Sequence, residues 1–216
     1  MNQSPDVRQY APATERNRQP ILDVLQRVLP AKGIILEIAS GTGEHAIFMA
    51  PRLQTHQWLP SDVESSHRAS IQAWQNYFPS ENLYPPLTLD VRDSVWPVES
   101  SLKLDGIELE NNSITAIVCI NMIHIAPWSA CLGLMAGAGR ILTQGGILYL
   151  YGPFKQGGKH TSESNIMFDQ SLRASNPEWG VRDLEEVTTV AKTHALQQIE
   201  TIPMPANNLS VVFQHH

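Results

Sequence analysis

The chain is poor in the features that would tie it to a membrane, to nucleic acid or to an oxidising compartment. Its 216 residues include only two cysteines, Cys119 and Cys131. Both sit in apolar surroundings at no spacing that suits a metal site or redox pair, so no disulfide framework is expected and a reducing compartment, the cytoplasm, is the natural setting. Basic clusters are equally scarce. Nothing longer than Arg16-Asn17-Arg18 appears in a chain of formal net charge −6, which argues against a phosphate-tracking surface and against nucleic acid as a partner. The longest apolar stretch, Ile114 to Ile125, is too short to span a bilayer and contains Asn121 and His124. Met1 to Pro12 is polar and lacks the apolar core of a secretory signal. No repeat, linker or low-complexity segment divides the sequence, so residues 1–216 are expected to form one domain, with 1–14 as an irregular segment able to act as a lid.

What is present is a regular alternation of short apolar runs and amphipathic stretches. A helix is expected from Glu15 to Leu29, capped by Thr14, followed by a strand from Gly33 to Ala39 whose nearly continuous apolar run suits a parallel strand covered on both faces. Helices at Gly43 to Leu53 and Ser65 to Tyr77 flank a strand at Gln57 to Ser61. Strands follow at Leu87 to Val91, Ser113 to Ile120 and Ile147 to Tyr151, with a helix at Trp128 to Leu142. Asp93 to Asn112 carries few regular signals beyond a turn at Asp105-Gly106. After Gly152-Pro153 come helices near Ser162 to Ala174 and Arg182 to His194, then strands Leu196 to Ile202 and Leu209 to Gln214. The link between that last pair is too short for a parallel crossover. The sum is an α/β fold: a Rossmann-like, seven-stranded, mostly parallel sheet with helices on both faces and an antiparallel C-terminal hairpin.

In such a sheet, ligands sit beyond the carboxyl ends of the strands where strand order reverses. The first strand ends in Glu37-Ile38-Ala39-Ser40-Gly41-Thr42-Gly43, a turn whose glycines allow backbone N–H groups close to a ligand. Glu37 discriminates between ligands, because it would repel a pyrophosphate but attract a cationic amino-acid end. The second strand ends at Asp62-Val63, about 20 residues after the turn, where a carboxylate can accept from ribose hydroxyls. The third offers Asp90 for an adenine amine and Val91 for the ring face. A ligand joining adenine, ribose and a positively charged methionine is S-adenosylmethionine (SAM).

The chain also resembles the class I SAM-dependent methyltransferases, and more closely a methyltransferase-like family of uncharacterised function. The likeness runs through Ala13-Thr14-Glu15-Arg16-Asn17-Arg18-Gln19-Pro20-Ile21, Leu36 to His45, Ile120-Asn121-Met122-Ile123-His124-Ile125 and Tyr151-Gly152-Pro153-Phe154. Ala39 replaces a glycine common in the superfamily. The resemblance implies SAM as cofactor, S-adenosylhomocysteine (SAH) as product, and Arg16 and Asn17 as contacts beside Glu37, Ala39, Ser40, Gly41, Gly43, Asp62, Val63, Asp90, Val91 and Asn121.

Methyl transfer from a sulfonium needs alignment and exclusion of water more than a nucleophilic side chain. His124, after the fourth strand, is the candidate general base. Tyr10, His124 and Tyr151 are candidate acceptor contacts, with Trp96, Phe154 and Lys155 as further candidate lining. No metal is expected. Asn121 to His124 is not the Asn/Asp-Pro-Pro-aromatic signature for amide or exocyclic amine nitrogens, and a small-molecule acceptor is expected. Gly41-Thr42-Gly43-Glu44-His45-Ala46 with Asp62 also fits an NAD(P)-dependent oxidoreductase of Rossmann type, and a non-catalytic SAM-binding protein fits the same residues. The acceptor and the oligomeric state are not written in the sequence.

Overall fold

The computed structural model describes residues 6–104, 107–109 and 113–216. The turn expected at Asp105-Gly106 and the first five residues of the irregular N-terminal segment lie outside them. The core strands in chain order are β1 (Gly33–Ile38), β2 (His56–Asp62), β3 (Leu87–Thr88), β4 (Ile114–Ile120), β5 (Ile147–Gly152), β6 (Leu196–Met204) and β7 (Asn208–His215). They form one seven-stranded sheet in the order β6-β7-β5-β4-β1-β2-β3. Neighbours from β5 to β3 are parallel. β7 runs antiparallel to both β5 and β6. Strand order therefore reverses between β1 and β4, which puts the crevice for a ligand at the ends of those two strands.

The helices are α1 (Pro12–Val28), α2 (Glu44–Met49), α3 (Ser65–Tyr77), α4 (Trp128–Ile141), α5 (Glu163–Ser175) and α6 (Leu184–Lys192). Alternation along β1 divides the core: Ile35 packs with Ile21 and Leu25 of α1, Met49 of α2 and Trp58, while Leu36 and Ile38 pack with Leu134 and Ala138 of α4 and Val187 of α6. The expected three-layer α/β architecture is thus the observed one. Among the described residues no helix is long and apolar enough to cross a membrane. Cys119 and Cys131 are both free and buried, and burial pushes both thiols up.

Several boundaries differ from the sequence expectation for local reasons. α1 begins at Pro12 rather than Glu15, because proline is suited to a first helical position. Thr14 is consequently buried in the first turn and does not act as the cap. β3 stops at Thr88, well short of Val91: the Asp90 side chain accepts the Arg92 backbone N–H at 3.0 Å and turns the chain out of the sheet. The stretch after Asp93 holds a short 3₁₀ turn at Pro97–Glu99 and a small hairpin pairing Leu102–Leu104 with Ile107–Leu109. α6 starts two residues later than expected, after Asp183, whose carboxylate caps the N–H groups of Glu185 and Glu186. Arg182 instead enters a short strand beside Phe154.

Candidate functional site

The turn between β1 and α2 is shaped by three residues with left-handed backbone, Ala39 (φ 53°), Gly41 (φ 56°) and Gly43 (φ 89°). A Cβ on Gly43 would stand 2.9 Å from the Ile71 Cα of α3, so the glycine also permits close packing of that helix. The turn is fastened to β2. Ser40 N–H donates to Ser61 O at 2.8 Å, Ser61 N–H donates to Ser40 Oγ at 3.1 Å, and Gly41 N–H donates to Asp62 Oδ2 at 2.9 Å. Asp62 is buried, and its Oδ1 accepts from Glu64 N–H at 2.9 Å. His67 Nδ1 also lies 3.2 Å from Oδ1, so of the about four acceptor positions of a carboxylate Asp62 spends most on organising the turn and keeps one on Oδ2 for a ligand hydroxyl.

Beside this turn lies an apolar cavity of about 220 Å³ whose lining includes Ala39, Val63, Asp90, Val91, Ala126 and Trp179. The structure thus brings Ala39, Val63, Asp90 and Val91 together, from the ends of three successive strands. The Asp90 carboxylate lies in a fork from the Arg92 guanidinium, which holds it below the usual carboxylate range. Glu37 is absent from the lining. It lies under the turn, 2% exposed, and accepts from Trp58 Nε1 at 2.9 Å. Burial raises its carboxyl to about 7, opposed by hydrogen bonds from Trp58 and Ser40 and assisted by the charge of Asp62.

A second polar group forms where α1 crosses the end of β5. Asn17 is buried, and its Oδ1 is 2.9 Å from His45 Nε2, just past the glycine turn. Asn17 and Asn208 face the Tyr151 hydroxyl, whose pKa burial raises, and exposed Arg16 acts on it electrostatically. Arg16, Asn17 and Tyr151 therefore share one location. Tyr10 does not join them: it is largely exposed and packs edge-on against Trp74 of α3, 5.0 Å between ring centres. The segment before α1 is fastened down there, with Gln9 N–H on Ser70 Oγ at 2.8 Å and Trp74 Nε1 on Gln9 O at 3.0 Å.

Asn121 closes β4 in a left-handed conformation, its N–H donating to Tyr151 O at 2.8 Å. His124 differs from the sequence expectation of a general base. It is fully buried, its Nδ1 accepts from Arg182 N–H at 3.3 Å, and its Nε2 packs against Gly152, where a Cβ would come within 2.6 Å. With Nδ1 accepting, the proton of the neutral ring resides on Nε2, which has no hydrogen-bond partner among the described residues. Burial lowers its pKa to about 3, with Arg182 adding to the shift. No lone pair is left to take a proton from an acceptor. Phe154 and Trp96 are likewise fully buried, Phe154 edge-on to His124 and Trp96 under Gly137 of α4. Lys155 lines a separate cavity of about 360 Å³ with Trp128, Arg173 and Arg182. Among the described residues no three His, Cys, Asp or Glu side chains come together to hold a metal ion.

Sequence reasoning missed Trp58, Trp179 and Arg182. Trp58 sits in a buried strand of mixed polarity, and only the lone tryptophan in the polar run Asn176-Pro177-Glu178-Trp179-Gly180 gave a signal.

A family model described as "Protein of unknown function (DUF938)" matches residues 8–215. Similar solved structures include human N-acetylserotonin methyltransferase in complex with SAM, with a TM-score of 0.73 at 9% identity, over 94% of this chain and 52% of that one. An O-methyltransferase family protein from Burkholderia thailandensis gives a TM-score of 0.73 at 12% identity, over 94% and 57%. The SAH-bound methyltransferase CalO1 of calicheamicin biosynthesis gives 0.69 at 11%, over 94% and 55%. The chain spans little more than half the length of each, and at these identities the likeness is one of fold.

Proposed function

The chain belongs to the family of that model, and we propose that it is a SAM-dependent methyltransferase acting on a small-molecule acceptor. The observation that carries this reading is one apolar cavity bordered by residues from the ends of β1, β2 and β3, with Asp90 in its lining and Asp62 preceding the lining residue Val63 and tied to the glycine turn. In this reading Asp62 accepts from a ribose hydroxyl, Asp90 accepts from the adenine amine on the side away from Arg92, and Val63 and Val91 flank the base. Glu37 lies beneath the turn with its carboxyl raised to about 7, so a cationic ligand above it would favour the charged form whereas a pyrophosphate would oppose it. The bound cofactor supplies a methyl group already activated on a sulfonium. The protein then has to align the acceptor and exclude water, for which Asn121, Tyr151, Asn17 and Arg16 at the ends of β4, β5 and α1 are the available groups. His124 holds the loop after β4 and transfers no proton. The net charge of −6 disfavours nucleic acid, and the fold neighbour named for N-acetylserotonin acts on a small molecule.

Titration calorimetry tests the reading. Heat of binding is expected with SAM and with SAH, and Asp62→Asn should weaken both by about 1–3 kcal/mol through loss of hydrogen bonds to a charged acceptor. Heat with NADH and none with SAM would overturn it in favour of a nicotinamide enzyme.

A further inference from the structure

We propose that Trp179 caps the adenine of the bound cofactor, carried into the cavity by a strap that joins α5 to α6, and that Arg182 positions that strap. The proposal rests on the SAM reading above. The remaining lining comes from the ends of β1 and β2, from Leu89 to Arg92, and from the β4 loop and the start of α4, so Trp179 alone among the lining residues comes from beyond α4. Its indole is only partly buried, and it stacks on no other aromatic ring among the described residues. An aromatic plane is thus left for a flat ligand.

The strap that delivers it is heavily fastened. Gly180 N–H donates to His124 O at 2.9 Å, and Arg182 N–H donates to His124 Nδ1. The Arg182 guanidinium donates to Ile123 O at 2.9 Å, Ala126 O at 2.6 Å and Glu178 O at 2.8 Å. Val181 N–H donates to Asp169 Oδ1 of α5 at 2.7 Å. Arg182 therefore ties both ends of the Glu178 to Arg182 strap to the loop whose Ala126 borders the same cavity. At the opposite margin Glu178 lies within electrostatic reach of Arg92, the partner of Asp90. Trp179 of the strap thus lines the same cavity as Ala126 of the β4 loop and Asp90 to Arg92 of the β3 loop. This arrangement accounts for a fully buried histidine and an arginine spent on backbone carbonyls: both hold the cap in place.

Binding of SAH and of adenosine by wild type, Trp179→Ala, Trp179→Phe and Arg182→Lys tests this. Base-on-aromatic stacking predicts a loss of ~5-fold to ~150-fold for Trp179→Ala with either ligand, while Trp179→Phe retains most of the affinity. Arg182→Lys should weaken binding in the wild type but add little to Trp179→Ala, since it acts through the indole. Equal losses from Arg182→Lys in both backgrounds would remove its positioning role. Wild-type affinity in a folded Trp179→Ala protein, or a loss seen with SAH but absent with adenosine, would overturn the cap and leave the methyltransferase reading intact. A wild type that binds neither ligand would overturn both.

Discussion

Glu37 is a buried acid whose charge costs stability, a cost that the proposed binding of a cationic cofactor would offset. Its carboxyl rises from 4.5 to about 7 chiefly through burial, so the folded chain holds this proton more tightly than the unfolded one. The resulting stabilisation is complete below pH 4.5 and is lost as pH rises through 7, a swing on the order of 3 kcal/mol. Glu37→Gln keeps an acceptor for Trp58 and removes the titration. Denaturant unfolding at pH 5 and pH 8 should show the variant gaining on wild type at the higher pH, while calorimetry shows it losing affinity for the sulfonium cofactor. A difference between variant and wild type that is the same at pH 5 and pH 8 would mean that Glu37 is not penalised when charged. The acid's place at the end of β1 was legible in the sequence; its burial under the turn was not, since Trp58 comes from another strand. His124 was read as a base for a similar reason. Position after β4 is a sequence property, whereas which ring nitrogen meets Arg182 is decided by a segment some 58 residues on.

The segment β1-turn-α2 was the most legible element, because an apolar run followed by closely spaced glycines admits few structures. Within it Ala39 is a misfit, a non-glycine at φ 53° where a Cβ costs roughly 1–2 kcal/mol. Ala39→Gly should be neutral or stabilising, the relieved strain being offset by the greater freedom of an unfolded glycine. Gly43→Ala should destabilise by more than about 1 kcal/mol, since its φ is positive and the Ile71 backbone stands in the way. Urea unfolding of the two variants checks the pair; a marked loss with Ala39→Gly would contradict the left-handed turn. β3 and the strap after α5 were poorly legible. In the first, a side-chain to backbone hydrogen bond overrides β propensity. In the second, the order comes from long-range contacts to the β4 loop and leaves no periodicity to read.

At the scale of the whole molecule, buried titratable groups work against one another. Burial lowers His124 to about 3 and the less enclosed His45 to about 4, so each contributes stability that is present above pH 6.5 and lost on acidification, at up to about 1.4 kcal/mol per pH unit. Between pH 4.5 and 6.5 Glu37 offsets only one of the two histidines, so stability should decline toward acid with about the slope of a single histidine, up to about 1.4 kcal/mol per pH unit. Below pH 4.5 Glu37 no longer opposes them, and stability should go on falling until the two histidines take up their protons in the folded chain near pH 4 and pH 3. Glu37→Gln should expose the histidine slope over the whole upper interval, which chemical denaturation from pH 4 to 8 would show; coincident profiles for variant and wild type would refute it. The sheet was legible at this scale because its repeating pattern and the short final link leave one arrangement. That arrangement has a consequence for biosynthesis. β7 lies between β5 and β6 and is the sole sheet neighbour of β6, yet a ribosome makes β6 first. The outermost strand must therefore emerge with no template, and a nascent chain halted before Asn208 would present the bare flank of β5 to chaperones until the closing hairpin could zip in as a unit.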